Sequence, residues 1–256
     1  MNNLEILKIA MAQSAEDISC AAEDFEKDEN VIVFSKENEK ARKYLKLPFS
    51  CQLVSYGKNI VASVAPELEE ITRDYINRFT FYHCFETPNM HVLSEKLRPH
   101  GLDVCFMAEY FLPDVQALKA LPCPYELRVL TAEDFSELYL PEWSNALCES
   151  RKHLDVLGVG AYDGDTLIGL AGCSADCEAM WQIGVDVLPS HRKKGVASAL
   201  TSRLALEILA REKVPFYCCA WSNIASARNA IRSGFHPAWV EMTAKPKELI
   251  QEMNEA

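Results

Sequence analysis

Arg192, Lys193 and Lys194 stand side by side within VDVLPSHRKKGVASAL, residues 185–200, in a chain of 256 residues whose formal net charge is −11. Pro189 ends a strand-like run, and Gly195 opens an apolar helical run. A helix start holds backbone N–H groups with no acceptor inside the helix and about half a positive charge. Cations added there are locally unfavourable until an anion offsets them. No acidic residue follows in SHRKKGVASAL, and small Gly195 and Ala197 let an anion come close to the main-chain N–H groups. The chemistry this predicts is capture of a phosphate or pyrophosphate. A solvated basic turn, with Gly195 merely relieving a tight corner, is the alternative. The nucleotide-loop pattern GxxxxGK[ST] does not occur in the chain. GVGAYDG at 158–164 has its third glycine one place late and sits on a hairpin, so it does not read as a dinucleotide fingerprint.

The elements that must position this loop are legible on both sides of it. In MWQIGVDVL (180–188), Trp181, Ile183, Val185 and Val187 alternate with Gln182, Gly184 and Asp186, the pattern of a strand packed on a core. Gly184 inside that strand marks a bulge or a close approach by another backbone or a ligand. A helix over 195–211, a strand FYCCAW (216–221), a helix over 224–233 and a strand around 236–243 follow. Upstream come strand YELRVL (125–130), a helix capped by Thr131 with Asp134 reaching back, and strands 156–164 and 165–174 turned at Asp163-Gly164. The order β-α-β-β-β-α-β-α-β mixes hairpins with crossovers, which predicts an α/β chain of the α+β type with a mixed sheet.

The first half reads as a helix over 4–12, a helix or loop over 15–27, a strand over 31–35 and a charged helix over 37–46. Strands over 52–57 and 59–65, helices over 66–79 and 89–100, and a strand over 103–112 complete it. Two prolines flank Cys123 in LPCPYE (121–126), which favours an extended connector. The expected organisation is therefore an α/β domain over 1–122 and a second over 123–256.

An apolar fraction of 49% and a charged fraction of 25% are those of a globular protein with a real core. The acidic balance argues against nucleic acid or an anionic membrane surface as partner. It suits a cationic amine substrate, and equally suits solubility alone. The ten cysteines form no CxxC pair and no zinc-type spacing with histidine, so no metal is expected and the thiols read as reduced core residues. No uninterrupted apolar leader opens the chain and no run is long enough to span a membrane. A cytoplasmic protein is the expectation.

Strand–Pro189–x–x–Arg192–x–x–Gly195–x–Ala197 followed by an apolar helix resembles the acyl-CoA loop of the GNAT superfamily of N-acyltransferases. FYCCAWSNIASARNAIRSGF resembles that family's next strand, asparagine-led turn, helix and closing Gly234-Phe235 pair. YELRVLTAEDFSEL is similar to its opening strand and first helix, so the likeness covers about residues 125–243. It implies acetyl-CoA as co-substrate, its pyrophosphate held by backbone N–H groups and charges from Arg192, Lys193, Lys194, Gly195, Val196 and Ala197, with Ser198 adjoining. It implies that the strand carrying Val185, Asp186 and Val187 splays from the next, so that the pantetheine arm lies in the gap. An N–H group there would polarise the thioester carbonyl. Asn223 and Ser226 are either further contacts to the coenzyme or ordinary helix caps.

The implied reaction is attack by a primary amine of a small molecule or peptide on the thioester. Many relatives carry a tyrosine where this chain has Ala230, so the acid is another group, water, or none. The candidates for the base are Glu142, Glu178 and Gln182, with Trp181 standing where some relatives have a glutamate. His191 is left unassigned. A CoA-binding sensor or interaction module without catalysis is the competing class. TPNMHVLSEKLRPHGLDVCFMAEYF echoes the segment from Asn223 to Gly234, so the first half is either a degenerate copy of the fold or an unrelated α/β domain. It would wall the acceptor site or form an interface, a homodimer being one assembly to consider.

Overall fold

The computed structural model describes residues 1–255. In chain order the elements are α1 (Asn3–Ile18), β1 (Val31–Phe34), β2 (Cys51–Ser55), β3 (Val61–Val64), α2 (Glu69–Arg78), α3 (Thr87–Leu97), β4 (Leu102–Pro113), β5 (Glu126–Thr131), β6 (Asp155–Asp163), β7 (Thr166–Ser174), β8 (Met180–Val187), α4 (Val196–Leu209), β9 (Val214–Ala220), α5 (Ile224–Arg232), β10 (Phe235–Pro246) and α6 (Lys247–Glu255). Parallel and antiparallel pairs coexist, as the hairpin-and-crossover order requires. Two compact units result: Met1–Ala10 with Phe111–Pro237, and Met11–Tyr110 with the chain from Ala238 onward. This division differs from a boundary at 122/123. Its physical reason is the length of β10, whose Val240–Ala244 stretch pairs antiparallel with Ser55–Cys51 of β2.

In the unit built on Met11–Tyr110, β3 pairs with β1 in parallel and with β2 antiparallel. Leu53, Ala62 and Val64 from the sheet pack against Leu68, Tyr75, Ile76, Leu93 and Leu97, all buried. Burying each such side chain contributes roughly 1.5–3 kcal/mol. The pairing of β2 with β3 is continuous from Cys51↔Val64 to Val54↔Val61, so this unit has no splayed pair there. The helix expected over 37–46 does not form. Side chains take its backbone donors instead: Asp17 Oδ1 accepts from Arg42 N at 2.8 Å and Asn38 Oδ1 from Lys40 N at 3.0 Å. The Arg42 guanidinium is buried and donates to Asp17 Oδ2 at 2.5 Å and to Glu241 Oε1 at 2.8 Å. Those contacts outweigh a helix propensity worth tenths of a kcal/mol per residue.

In the other unit, β5, β6, β7 and β8 form an antiparallel run, and β9 joins β8 in parallel. Leu200, Leu204 and Ile208 of α4 lie on one face against Val159, Ile168 and Ile183. The other face is covered by Phe135, Trp143, Ala146 and Leu147 over Leu130 and Leu170. The helix expected after Thr131 is a single short turn, Ala132–Phe135. Its cap is as anticipated, with Asp134 Oδ2 accepting from Thr131 N at 2.8 Å.

Candidate functional site

β8 is bound along one edge and bare along most of the other. Its pairing with β9 covers only Met180↔Val214, Trp181↔Pro215 and Gln182↔Phe216, although β8 runs on to Val187 and β9 to Ala220. Beyond that last pair the strands part and line a cleft of about 920 Å³. Leu188 N donates to Ile168 O at 2.9 Å, so alternation commits the even-numbered residues of β8 to β7. The Ile183 carbonyl and the main-chain groups of Val185 and Val187 therefore face the cleft, the Ile183 N–H being committed to the last bond of the ladder with β9. A bare strand edge of this kind is a slot for an extended, amide-bearing ligand.

Gly184 has a specific cause. A Cβ there would run into the Asn145 carbonyl, and one on its cross-strand partner Gly172 into the Ala146 carbonyl. The two glycines seat the Asn145–Ala146 backbone flat on the sheet. Asp186 fastens it, accepting from Asn145 N at 2.8 Å, Asn145 Nδ2 at 2.7 Å and Ala146 N at 3.0 Å. The backbone approach anticipated at Gly184 is thus made by protein.

At the open end of the cleft, Gly195 is the N-cap of α4 with φ 82°, a left-handed conformation that favours glycine. The first helical bond across the cap runs from Ala199 N to Gly195 O at 3.1 Å. The amides of Val196, Ala197 and Ser198 precede that ladder and remain available to an anion. Arg192 folds back, donating from Nε to Val187 O at 2.9 Å, while Lys193 lines the cleft. Arg228 and Arg232, one turn apart on α5, line it as well. Four cations around one opening in an acidic chain would concentrate polyanions there.

The wall contributed by α5 is a linked set of polar groups. Asn223 Oδ1 accepts from Ser226 N at 3.1 Å, the geometry of a helix cap. Ser226 Oγ lies 2.7 Å from the Tyr217 hydroxyl. Ser198 Oγ donates to Asn229 Oδ1 at 3.0 Å, and Asn229 Nδ2 to Thr201 Oγ1 at 3.0 Å. At the closed end Gln182 Nε2 donates to Cys218 Sγ at 3.1 Å. Burial pushes the Tyr217 hydroxyl above its ordinary value, and hydrogen bonds with Ser226 and Asn229 draw it partly back.

Of the residues singled out by sequence, Val185, Asp186, Val187, Arg192, Lys193, Gly195, Val196, Ala197, Ser198, Asn223 and Ser226 all line this one cleft, as does Gln182. Lys194 stands apart from it, with Nζ 3.0 Å from the Tyr125 hydroxyl. Glu142 and Glu178 are exposed and outside the lining. Asp186 lies in the cleft with both carboxylate oxygens engaged by the 145–146 segment. His191 lines it too, its ring nitrogen 3.5 Å from Asp163. Sequence reasoning missed Asn145, Tyr217, Asn229, Arg228 and Arg232. Only the two arginines, four apart just beyond Asn223, offered a signal. Among the described residues no group of three His, Cys, Asp or Glu side chains is placed to hold a metal ion, and no helix is long and apolar enough to cross a membrane.

A family model described as GNAT acetyltransferase matches residues 10–238. No functionally curated protein matches the chain. Among solved structures it is similar to a GCN5-related N-acetyltransferase from Kribbella flavida, at 14% identity and TM-score 0.49 over 62% of this chain and 64% of that one. It is also similar to an acetyltransferase from the GNAT family of Colwellia psychrerythraea, at 12% identity and TM-score 0.47 over 96% of this chain and 98% of that one. A GCN5-related N-acetyltransferase-like protein from Streptococcus suis shares 19% identity at TM-score 0.45, over 61% of this chain and 69% of that one. The chain spans just under two thirds of the Kribbella protein.

Proposed function

This chain belongs to the GNAT acetyltransferase family, and from that premise we propose that it transfers an acetyl group from acetyl-CoA to a primary amine of a small molecule or peptide. The observation that carries the reading is the bare edge of β8 beyond Gln182, opening toward the free amides at the start of α4. A linear molecule with amides in its arm and a pyrophosphate at one end fits both features at once. The amides of Val196, Ala197 and Ser198 take the pyrophosphate, and Arg192, Lys193, Arg228 and Arg232 offset its charge. The main-chain groups of Val185 and Val187 pair with the arm as a neighbouring strand would. The Val185 N–H, fixed toward the thioester oxygen, stabilises the charge that develops there when the amine attacks, without reorganising at that moment.

The amine must lose a proton. Asp186 is the only carboxylate lining the cleft among the described residues, and the 145–146 segment occupies both its oxygens. Deprotonation therefore passes through water, or the amine arrives neutral. The same lack of a free carboxylate favours a second reading, a CoA-binding sensor that does not turn over. Calorimetric titration with acetyl-CoA, followed by thiol release against a panel of amines, separates them. Binding with release on at least one amine is expected. Binding without release on any amine leaves the sensor, and no binding overturns both.

A further inference from the structure

An acceptor reaches a thioester lying in the gap beside β8 from the face opposite α4. Ile183 and Val187 turn toward α4 and are buried with Leu200 and Leu204. Gly184 and Asp186 turn the other way, against Asn145 and Ala146. Alternation along the strand places Gln182 on that same second face. Asn145 is exposed and Gln182 half-buried, so solvent and an incoming nucleophile can reach both.

What this face presents to a ligand is amide oxygen. Asn145 Nδ2 donates to Asp186 Oδ1 at 2.7 Å. Turning that amide over would set its oxygen against a carboxylate oxygen, so Asn145 Oδ1 is the end left for a ligand. Gln182 Nε2 donates to Cys218 Sγ at 3.1 Å, which leaves Gln182 Oε1 in the same role. Both side chains line the cleft. The Asp186 carboxylate is taken up by three N–H donors of Asn145 and Ala146, while Arg192, Lys193, Arg228 and Arg232 line the same cleft. An alkylammonium would enter without a counter-ion of its own, and a charge moved out of water unpaired is costly. A neutral amine has N–H groups for both oxygens and keeps its lone pair for the carbonyl carbon.

We propose that the acceptor is a weakly basic primary amine, the α-amino group of a peptide being the type, and that Asn145 Oδ1 and Gln182 Oε1 hold its nitrogen in the neutral form. The assignment rests on the acetyl-CoA reading above. The nitrogen lone pair forms the new C–N bond, and the C–S bond breaks with its electrons moving to sulfur. The proton shed by nitrogen passes through water to the thiolate, so the products are the acetamide and free CoA.

The test sets two amines in competition for the wild-type protein with acetyl-CoA: a dipeptide amide carrying only an α-amino group, and Nα-acetyl-lysinamide carrying only a side-chain amine. Sharing one tube cancels any ionisation of the protein from the ratio of the two products. With ordinary amine pKa values of about 7.8 and about 10.4, the neutral fractions alone favour the dipeptide about 300-fold at pH 7 and about 10-fold at pH 9.5. That preference, narrowing with pH, is the expected result. Asn145→Ala keeps the main-chain bonds to Asp186 and should raise the KM for the dipeptide about fivefold, with the KM for acetyl-CoA unchanged. Preference for the lysine amine at pH 7, a ratio that does not move with pH, or an unchanged dipeptide KM in a folded Asn145→Ala overturns the assignment and leaves acetyl transfer standing. The wild-type competition decides even if that variant folds poorly. Release of CoA on neither amine overturns both.

Discussion

Gly195→Glu, measured beside Gly195→Ala, isolates the electrostatic part of the loop's task. Gly195 sits at φ 82°, so either replacement carries a backbone penalty of about 1–2 kcal/mol. A Cβ there meets no atom within 4 Å, so the first carbon of either side chain has room. The two differ in one negative charge at the position proposed for the pyrophosphate. With a carboxylate about 5 Å from each phosphate and an effective dielectric between ~20 and ~80, the repulsion is about 1–3 kcal/mol per phosphate charge. Two such charges at the low end already exceed a tenfold change, and about 100-fold is the expected gap in Kd between the variants. Calorimetric titration with acetyl-CoA reads it directly. The gap should narrow as salt rises, because the screening length is only ~8 Å at physiological ionic strength. Equal affinities for the alanine and glutamate variants would refute the placement of the anion at this helix start.

Other perturbations test neighbouring claims. Asn223→Ala should cost about 1 kcal/mol in chemical denaturation, the worth of an N-cap, with acetyl-CoA affinity changed less than about threefold, because its Oδ1 is already committed to Ser226 N. Against partial burial, hydrogen bonds with Ser150 and Arg151 hold the Cys148 thiol below its usual value, whereas burial pushes Cys173 well above it. Peptide mapping after brief iodoacetamide treatment should therefore find Cys148 labelled well before Cys173, and Arg151→Ala should slow it. Glu207 is held below the ordinary carboxylate range by hydrogen bonds from Arg211 and Arg203. Its stabilisation is present above that range and is lost as pH falls through the depressed folded value, so Glu207→Gln should flatten part of the acid limb of the stability curve.

The cleft's mouth was legible in sequence because its signals are local. A helix start without acids, a left-handed glycine and a two-residue alternation in MWQIGVDVL each declare themselves within a few residues. Gly184 was legible as a close approach, but not what approaches, since Asn145 lies about 40 positions away in chain and meets Asp186 only in the fold. Tyr217 alternates with other core residues on its strand and reads as plain packing until Ser226 is found beside its hydroxyl. The segment 37–46 misled for the converse reason. Its charges suit an exposed helix, yet Arg42 is buried against Asp17 and Glu241, partners that local pattern cannot reveal. The unit boundaries escaped for the same cause, being set by a strand pair between residues 51–55 and 240–244.

That strand pair has a consequence for how the molecule is made. β2 leaves the ribosome early, while the strand that covers its free edge is roughly 185 residues further along. At ~5–20 residues per second, synthesis leaves that edge waiting about 10–40 s for its partner. An unpaired edge beside buried apolar residues is a template for association with other chains. Yield in a cell should accordingly depend on holdase chaperones and on translation speed through the second half of the message, and chains cut short before residue 240 should aggregate even though every residue of β1, β2 and β3 is present.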